Sequence, residues 1–193
     1  MRRVNPIDGT PRLGTTRLEL RAMEAGDVDA VFRIQSNPEA MRYWATPPLR
    51  TRAEAAAVVE RALAYAAEAS GLTWAACARD DGRVVGTVSL FRFDPRNDRA
   101  EVGYILDRSA WGHGFMSEAL GAAIGHAFGA LDLRRIEADT DPRNAASIRM
   151  LERLAFRREG LLRERWVVGG EVCDSLILGL LRTDWRARDP ARR

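Results

Sequence analysis

The sequence predicts a mixed α/β (α+β) fold in which helices cover the faces of a central sheet. Three observations support this class: strand-like alternation near both ends, helical spacing between the strands, and one strand–helix–strand unit flanked by antiparallel hairpins. A length of 193 residues suits one domain with a sizeable core. We therefore predict a single domain over 1–193, with a core over about 16–185 and loosely ordered ends.

The first half of the chain is predicted to contain one strand, three helices and a hairpin. Leu18 and Leu20 alternate with charged residues, which indicates a half-buried strand. Thr51 and Glu54 have the spacing of a capping box that opens an alanine-rich helix. An Asp-Asp-Gly turn at 80–82 joins two strands into a hairpin. The predicted elements are a strand over 16–23, helices over 27–35, from 38 and over 51–70, and strands over 73–78 and 83–93.

The second half is predicted to alternate between strands and helices before it ends in a hairpin. Glu101, Gly103 and Ile105 share one face of a strand. Apolar residues at helical spacing follow a glycine-rich turn, and the pair Gly169-Gly170 supplies the turn of the last hairpin. The predicted elements are a strand over 100–106, a helix after the glycines, a strand over 134–140, a helix over 144–154, and strands over 161–168 and 172–181.

The composition excludes several classes of protein. With 46% hydrophobic and 30% charged residues it is ordinary for a soluble globular chain. No apolar run approaches the ~20 residues of a membrane span. The first residues lead into polar sequence instead of a secretory apolar segment. We therefore predict a cytoplasmic protein without a membrane partner.

The charged and metal-binding residue types narrow the chemistry further. All 30 basic residues are arginine, which excludes Schiff-base chemistry on a lysine. The arginines are scattered apart from the arginine-rich ends, which argues against a dedicated nucleic-acid surface. The two histidines and two cysteines lie too far apart to give metal-ligand spacing, so no metal is predicted. Cys77 and Cys173 are predicted to be small buried thiols.

The most informative segment is the glycine turn at 111–117, between a predicted strand and a predicted helix. Gly112 and Gly114 allow a tight bend with uncovered N–H groups, and the following helix directs its unpaired N–H groups and positive dipole end at the same point. This is a main-chain phosphate site. Three interpretations compete: a structural turn, a pyrophosphate site for coenzyme A, and a dinucleotide fold in which Gly112, Gly114 and Ser117 mimic the fingerprint and Asp139 binds a ribose.

A second polar segment follows the next strand and opens the next helix. Asn144 and Ser147 place polar groups at that helix start, near the same sheet edge. The alternative to a ligand-binding role is a structural one, because Asn144 also has the sequence position of a helix N-cap.

The two segments AEVGYILDRSAWGHGFMSEAL and DTDPRNAASIRMLERLAF resemble the GNAT superfamily of acetyl-CoA-dependent N-acetyltransferases. Within it, the chain resembles the RimJ/RimL-type N-terminal acetyltransferases of ribosomal proteins, from Leu18 to Trp185. The resemblance implies a mostly antiparallel central sheet of about seven strands, with helices on both faces. It also implies a splay between the fourth and fifth strands, which match 101–106 and 134–140 here.

The resemblance also implies a site for acetyl-CoA as co-substrate, with no metal. The pantetheine arm would lie in the splay and pair with the backbone of the fourth strand, and a free N–H there would hold the thioester oxygen. The loop at 111–116 would bind the pyrophosphate, with His113 contributing its N–H only. Met116 stands where the family prefers a small residue, and its alternative role is in the core. The residues implied at the cofactor are Ile105, Leu106, Trp111, Gly112, His113, Gly114, Phe115, Met116, Ser117, Asn144 and Ser147.

The implied reaction is direct attack of a neutral amine on the thioester carbon. Glu101 matches a position that carries the catalytic carboxylate in some members, acting through water; the alternative is a salt bridge to an arginine. Asp174 is a second candidate carboxylate, on a strand face where a charge needs an arginine or a substrate ammonium as partner. Leu151 replaces the tyrosine that often protonates the thiolate, so Ser147 or water would take that role.

The acceptor end of the site would be walled by Tyr43, Trp44 and Trp166, with Asp174 nearby; core packing is the alternative for each aromatic residue. The acceptor is predicted to be a protein N-terminal α-amine or a small primary amine, and the protein a monomer or homodimer. Two other functions stay open at this point. One is a catalytically silent acyl-CoA-binding or regulatory module, and the other is a dinucleotide-dependent oxidoreductase.

Overall fold

The computed structural model describes residues 9–188. Within that range, eight strands form one sheet in the order β1-β2-β3-β4-β5-β6-β8-β7. The strands are β1 (Leu13–Gly14), β2 (Leu18–Ala22), β3 (Leu72–Ala78), β4 (Val84–Asp94), β5 (Arg99–Leu106), β6 (Arg135–Thr140), β7 (Arg157–Val168) and β8 (Glu171–Leu181). The helices are α1 (Val28–Gln35), α2 (Pro38–Met41), α3 (Arg52–Ala67), α4 (Phe115–Gly129), α5 (Ala145–Arg153) and α6 (Arg182–Arg188).

The mixed, mostly antiparallel sheet confirms the predicted fold class. β5 and β6 form the one parallel pair among residues 9–188, and the other neighbours are antiparallel. The sheet has one strand more than predicted, because the two residues of β1 pair with Glu19 and Leu20 of β2. A single parallel pair does not fit a dinucleotide fold, which needs successive parallel strands.

Two hydrophobic cores lie on opposite faces of the sheet. On one face α4 and α5 bury Leu120, Ile124 and Leu151. On the other face α1 and α3 bury Val31 and Val59. Helices therefore cover both faces, and the edges and strand ends remain for a site.

Local sequence signals explain most helix ends. Thr51 and Glu54 form the predicted capping box at the start of α3, with the Glu54 N–H donating to Thr51 Oγ1 at 3.2 Å. The helix predicted from Pro38 is a single turn, and a further turn follows in which the Trp44 N–H donates to the Met41 carbonyl at 3.0 Å. Tyr43 therefore lies beyond α2.

Regular secondary structure extends past the predicted core at both ends: β1 at Leu13–Gly14 precedes residue 16, and α6 continues beyond residue 185. Helix α6 follows β8 directly, with no glycine or proline to signal the change, and it extends three residues past the predicted core boundary at 185. Its Trp185 is buried and lies 6.5 Å from the ring of Phe128. The predicted loose order of the remaining ends concerns residues 1–8 and 189–193, which lie outside the described range. Within that range no helix is long and apolar enough to cross a membrane.

Candidate active site

A gap opens between the two parallel strands. β5 and β6 pair only from Arg99 and Arg135 to Glu101 and Glu137; past this point β5 pairs only with β4, and β6 only with β8. The gap therefore lies where the splay is predicted, between the strands that match 101–106 and 134–140. These strands are the fifth and sixth of the structure because β1 adds one strand before them. A cleft of about 800 Å³ occupies the gap and extends to the glycine turn.

The direction of the β5 backbone groups can be read from two hydrogen bonds at its ends. The Asp107 N–H donates to the Val85 carbonyl at 2.8 Å, on the β4 side, and the Asp98 carbonyl accepts from the Arg134 N–H at 2.7 Å, on the β6 side. Because these directions alternate along an antiparallel strand, odd-numbered residues of β5 bond to β4 and even-numbered residues face the splay.

This alternation corrects one predicted contact. The N–H and carbonyl of Ile105 belong to the β4 ladder, and its side chain is buried in the core with α1 and α3. The backbone groups that face the splay are those of Tyr104 and Leu106. The Leu106 carbonyl already accepts from Trp111 Nε1 at 3.0 Å, so the Leu106 N–H is the group left for a ligand.

The glycine turn has the conformation that only glycine adopts without strain. Gly112 has φ +82° and Gly114, the N-cap of α4, has φ +78°. A Cβ at Gly112 would meet nothing within 4 Å, and one at Gly114 would meet only Arg17 Nη2, at 3.6 Å. The turn is therefore an open cradle with the first N–H groups of α4 around it.

A carboxylate in the first turn of α4 is turned away from this cradle. Glu118 accepts from the Arg17 N–H at 2.7 Å, from Arg17 Nε at 2.8 Å and from Thr15 Oγ1. Burial alone would raise the pKa of Glu118, but these hydrogen bonds hold it below its usual range. Arg17 also donates to the His113 carbonyl at 2.8 Å. This arrangement fixes the loop and neutralises a charge that would oppose an anion.

The side chains of the loop divide between the cleft and the core. His113 stacks on Phe115, with ring centroids 6.0 Å apart, and it is not among the residues that line the cleft, so the contribution of its N–H stays a prediction. Met116 borders the cleft, but its side chain is buried in the hydrophobic core. Core packing is the role predicted for it as the alternative to binding the cofactor. Trp111, Gly112, Gly114, Phe115 and Ser117 line the cleft.

Asn144 and Ser147 also line the cleft, at the start of α5. The Asn144 side-chain oxygen accepts from the Ser147 N–H at 3.1 Å, so Asn144 is an N-cap and its amide nitrogen remains for a ligand. Ser147 Oγ lies 2.7 Å from the Tyr104 hydroxyl and 3.3 Å from Thr140 Oγ1. Tyr104 was not among the predicted site residues, although a tyrosine at an inward-facing strand position signals the need for a polar partner.

The two candidate carboxylates both line the cleft, and both have protein partners. Glu101 Oε2 lies 2.9 Å from Arg92 Nη1. This is the salt bridge to an arginine that is predicted from the sequence as the alternative to a catalytic base. Asp174 was expected to need an arginine or an ammonium; instead Asp174 Oδ1 accepts the Glu164 N–H at 2.8 Å. Glu164 lies where the β7–β8 register shifts, so Asp174 satisfies a backbone group that the ladder leaves unpaired.

The three aromatic residues predicted near the acceptor also border the cleft. Tyr43, Trp44 and Trp166 are half-buried and line the cleft. Trp166 is fixed by a hydrogen bond from its indole nitrogen to Ser175 Oγ, at 2.9 Å. Cys77 is buried as predicted, but Cys173 is half-buried and borders the cleft, with Sγ 3.4 Å from Arg143 Nη2. In the described part of the chain, no group of three or more His, Cys, Asp or Glu is arranged to hold a metal.

Known proteins share both this fold and this sequence pattern. Residues 17–157 match the family described as Acetyltransferase (GNAT) domain. The chain is 35% identical over 173 residues to "Uncharacterized N-acetyltransferase p20" of Bacillus licheniformis, which covers 90% of this chain and 97% of that protein. It is 24% identical over 173 residues to the spermidine N(1)-acetyltransferase of Vibrio cholerae, with 90% and 98% covered.

A solved structure shows the same fold. The structure of RimL, the ribosomal L7/L12 alpha-N-protein acetyltransferase, in complex with coenzyme A superposes with a TM-score of 0.80. The two sequences are 24% identical, and the match covers 89% of this chain and 98% of that one. The matched family domain and the extended match to an N-acetyltransferase agree with the splay and the glycine turn: the chain belongs to the GNAT family of N-acetyltransferases.

Proposed function

We propose that the protein transfers the acetyl group of acetyl-CoA to a primary amine by direct attack in a ternary complex. One observation carries the proposal: the gap between β5 and β6 and the uncovered N–H groups at the start of α4 belong to a single cleft. A ligand with a diphosphate and a narrow thiol arm fits such a combination, because amides bind the diphosphate and a free strand edge binds the arm. RimL, which has this fold, has been solved with coenzyme A.

The chain's own groups divide the binding between them. The N–H groups at 112–117 would bind the diphosphate, and the backbone groups of Tyr104 and Leu106 would pair with the pantetheine arm. The Asn144 amide nitrogen would donate to a carbonyl of the arm from the other side. A backbone N–H of β5 would also stabilise the negative charge that develops on the thioester oxygen.

The acceptor amine must be neutral to attack. An α-amine, with a pKa of about 8, is roughly one-tenth neutral at pH 7, whereas a lysine amine, with a pKa of about 10.4, is neutral roughly once in 2,500. Glu101 is the candidate base, but its carboxylate is engaged by Arg92 and would act through water. Because Glu101 gives only limited help in removing the amine proton, an acceptor that is already partly neutral at pH 7 is favoured. We therefore propose a protein N-terminal α-amine ahead of a small primary amine.

The acceptor would enter from the end of the cleft where the aromatic residues lie. Tyr43, Trp44 and Trp166 line the cleft, and we propose that they would flank the acceptor. Asp174 and Glu101 also line the cleft, and their negative charge would suit an approaching ammonium before it loses its proton. Because the chain is similar to the spermidine acetyltransferase of Vibrio cholerae, polyamines must be tested as acceptors beside peptides.

The test combines binding with turnover. Calorimetric titration with coenzyme A measures binding, and thiol release from acetyl-CoA is followed with peptides of varied N-terminal residues, spermidine, amino acids and aminoglycosides. We expect coenzyme A to bind and at least one peptide to give amine-dependent thiol release. Binding without turnover on any amine would favour a silent acyl-CoA-binding module, and absence of binding would overturn the proposal.

A further inference from the structure

Three hydroxyl groups from three different elements meet between the splayed strands. The Tyr104 hydroxyl, on β5, lies 2.7 Å from Ser147 Oγ, on α5. Thr140 Oγ1, at the end of β6, lies 3.3 Å from the same Ser147 oxygen. All three residues line the cleft that the proposed thiol arm would enter.

The direction of these hydrogen bonds follows from the chemistry of the groups. A phenol is a stronger acid than an aliphatic alcohol, so Tyr104 is the better donor to Ser147. Burial raises the pKa of Tyr104 to about 12, and the Ser147 hydrogen bond only partly opposes this, so the phenol keeps its proton across the working pH range. Thr140 donates to Ser147 from the other side.

Ser147 is left with one unused hydrogen-bonding group. A serine oxygen accepts two hydrogen bonds and donates one. If Tyr104 and Thr140 fill both acceptor positions, the Ser147 proton must point elsewhere. No carbonyl in the described range of the chain accepts it, so the remaining direction is the open cleft.

We propose that Tyr104 is a positioning residue that holds the Ser147 hydroxyl with its proton directed at the sulfur of the leaving thiol. This rests on the proposed acetyl transfer. In that step the amine nitrogen forms a bond to the thioester carbon, the carbon–sulfur bond breaks, and its electron pair goes to sulfur. Ser147 donates a hydrogen bond to the sulfur while the charge develops. The amine loses its proton to water, and the sulfur later takes one from water.

The expected effects separate the two residues. A hydrogen bond to a charged group is worth enough to change a rate by about 10- to 100-fold. Ser147→Ala removes it, so kcat should fall by that factor. Tyr104→Phe keeps the ring but frees the serine hydroxyl to rotate, so kcat should fall by about tenfold with KM for acetyl-CoA within about twofold. The double variant should be no slower than Ser147→Ala, because Tyr104 acts through Ser147.

A second readout needs coenzyme A binding but no turnover. A donor aimed at the sulfur stabilises the thiolate, so the thiol of bound coenzyme A should have a pKa below its ordinary ~8.5. The rate of its alkylation by iodoacetamide against pH gives this pKa. We expect it to rise by about one pH unit in Tyr104→Phe, with coenzyme A affinity within about twofold of the original. Tyr65→Phe, on the exposed face of α3, is the matched control.

The outcomes are separable. An unchanged kcat in Tyr104→Phe, a double variant whose losses multiply, or an unchanged thiol pKa would overturn the role of Tyr104 while leaving acetyl transfer intact. A protein that binds coenzyme A but acetylates no amine contradicts the proposed function, and the thiol pKa still decides the orientation of Ser147. A protein that does not bind coenzyme A overturns both.

Discussion

The carboxylate of Glu101 lies 2.9 Å from the guanidinium of Arg92, and the pair joins β5 to β4 where their ladder is interrupted. Arg92 has φ +50°, so the backbone is bent out of strand geometry at this residue. Both residues line the cleft. A carboxylate held in this way can serve as a base through water, or it can serve only to hold the arginine.

The first prediction tests that choice with Glu101→Gln. If Glu101 is the base, kcat/KM for a peptide acceptor should fall by at least about tenfold at pH 6.5, where little α-amine is neutral, and by much less at pH 9. Initial rates of thiol release at both pH values measure this. Glu137→Gln is the matched control, because Glu137 lies opposite Glu101 in the β5–β6 ladder and is also paired with arginines. An equal loss at both pH values would remove Glu101 as base.

The second prediction concerns the glycine turn. Gly112→Trp should abolish coenzyme A binding in a calorimetric titration, because the open space before the turn would be filled by an indole. The left-handed φ costs about 1–2 kcal/mol of stability as well. Gly82→Trp is the control: Gly82 has φ +71°, also faces open space, and lies in the β3–β4 turn outside the cleft. Equal affinities for coenzyme A in the two variants would contradict the diphosphate assignment.

The features that could be predicted were those written in local sequence. Alternation and helical spacing gave the order of the elements, and Gly112 and Gly114 indicated a turn that the structure shows in the left-handed conformation. The N-cap position of Asn144 was also local. These signals depend on neighbours a few residues apart, so folding does not change their meaning.

The features that could not be predicted depend on pairing between distant segments. Alternation shows which side chains of β5 share a face, but the direction of its N–H groups is set by the register with β4. The backbone groups that face the splay are therefore those of Tyr104 and the predicted Leu106, and those of Ile105 face β4. The bond between Arg17 and Glu118 joins residues 101 positions apart. No spacing rule reaches that far.

The third prediction concerns acid stability at the end of β5. Asp107 is buried and accepts from Arg33 Nε at 2.8 Å and from the Ser109 N–H at 2.9 Å. Burial would raise its pKa, but these bonds hold it below the usual value, so the carboxylate contributes stability above about pH 4 that is lost as the pH falls further.

Asp107→Asn should therefore lower the free energy of unfolding by about 2 kcal/mol at pH 7. The difference from the original protein should shrink below pH 3, where the original carboxylate is also becoming neutral. Urea unfolding at both pH values measures it. Glu60→Gln, on the exposed side of α3, should change neither value. A difference that persists undiminished at low pH would mean that Asp107 acts by shape and not by charge.

The last prediction uses the arginines of the cleft wall. Among the described residues, five arginines line the cleft, and three of them are engaged. Arg42 lies over the Tyr43 ring at 5.3 Å, Arg92 pairs with Glu101, and Arg143 pairs with Asp141 and Glu171.

The other two, Arg149 and Arg153, are exposed, lie one turn apart on α5, and have no ion pair within the described range. Two unpaired like charges at this spacing repel each other, so an anion between them is stabilising. Coenzyme A carries a ribose 3′-phosphate beyond its diphosphate, and dephospho-CoA lacks it. We expect Arg149→Ala/Arg153→Ala to weaken coenzyme A binding by about tenfold and to leave dephospho-CoA binding unchanged.

Calorimetric titrations of both ligands at low and high salt measure this, and the coenzyme A effect should diminish with salt. Arg61→Ala, on the exposed side of α3, is the control for a simple loss of surface charge. Equal weakening of both ligands would place the arginines at the diphosphate instead of the 3′-phosphate. No weakening of either would mean that the two charges face solvent in the complex, and that the nucleotide leaves the cleft along another wall.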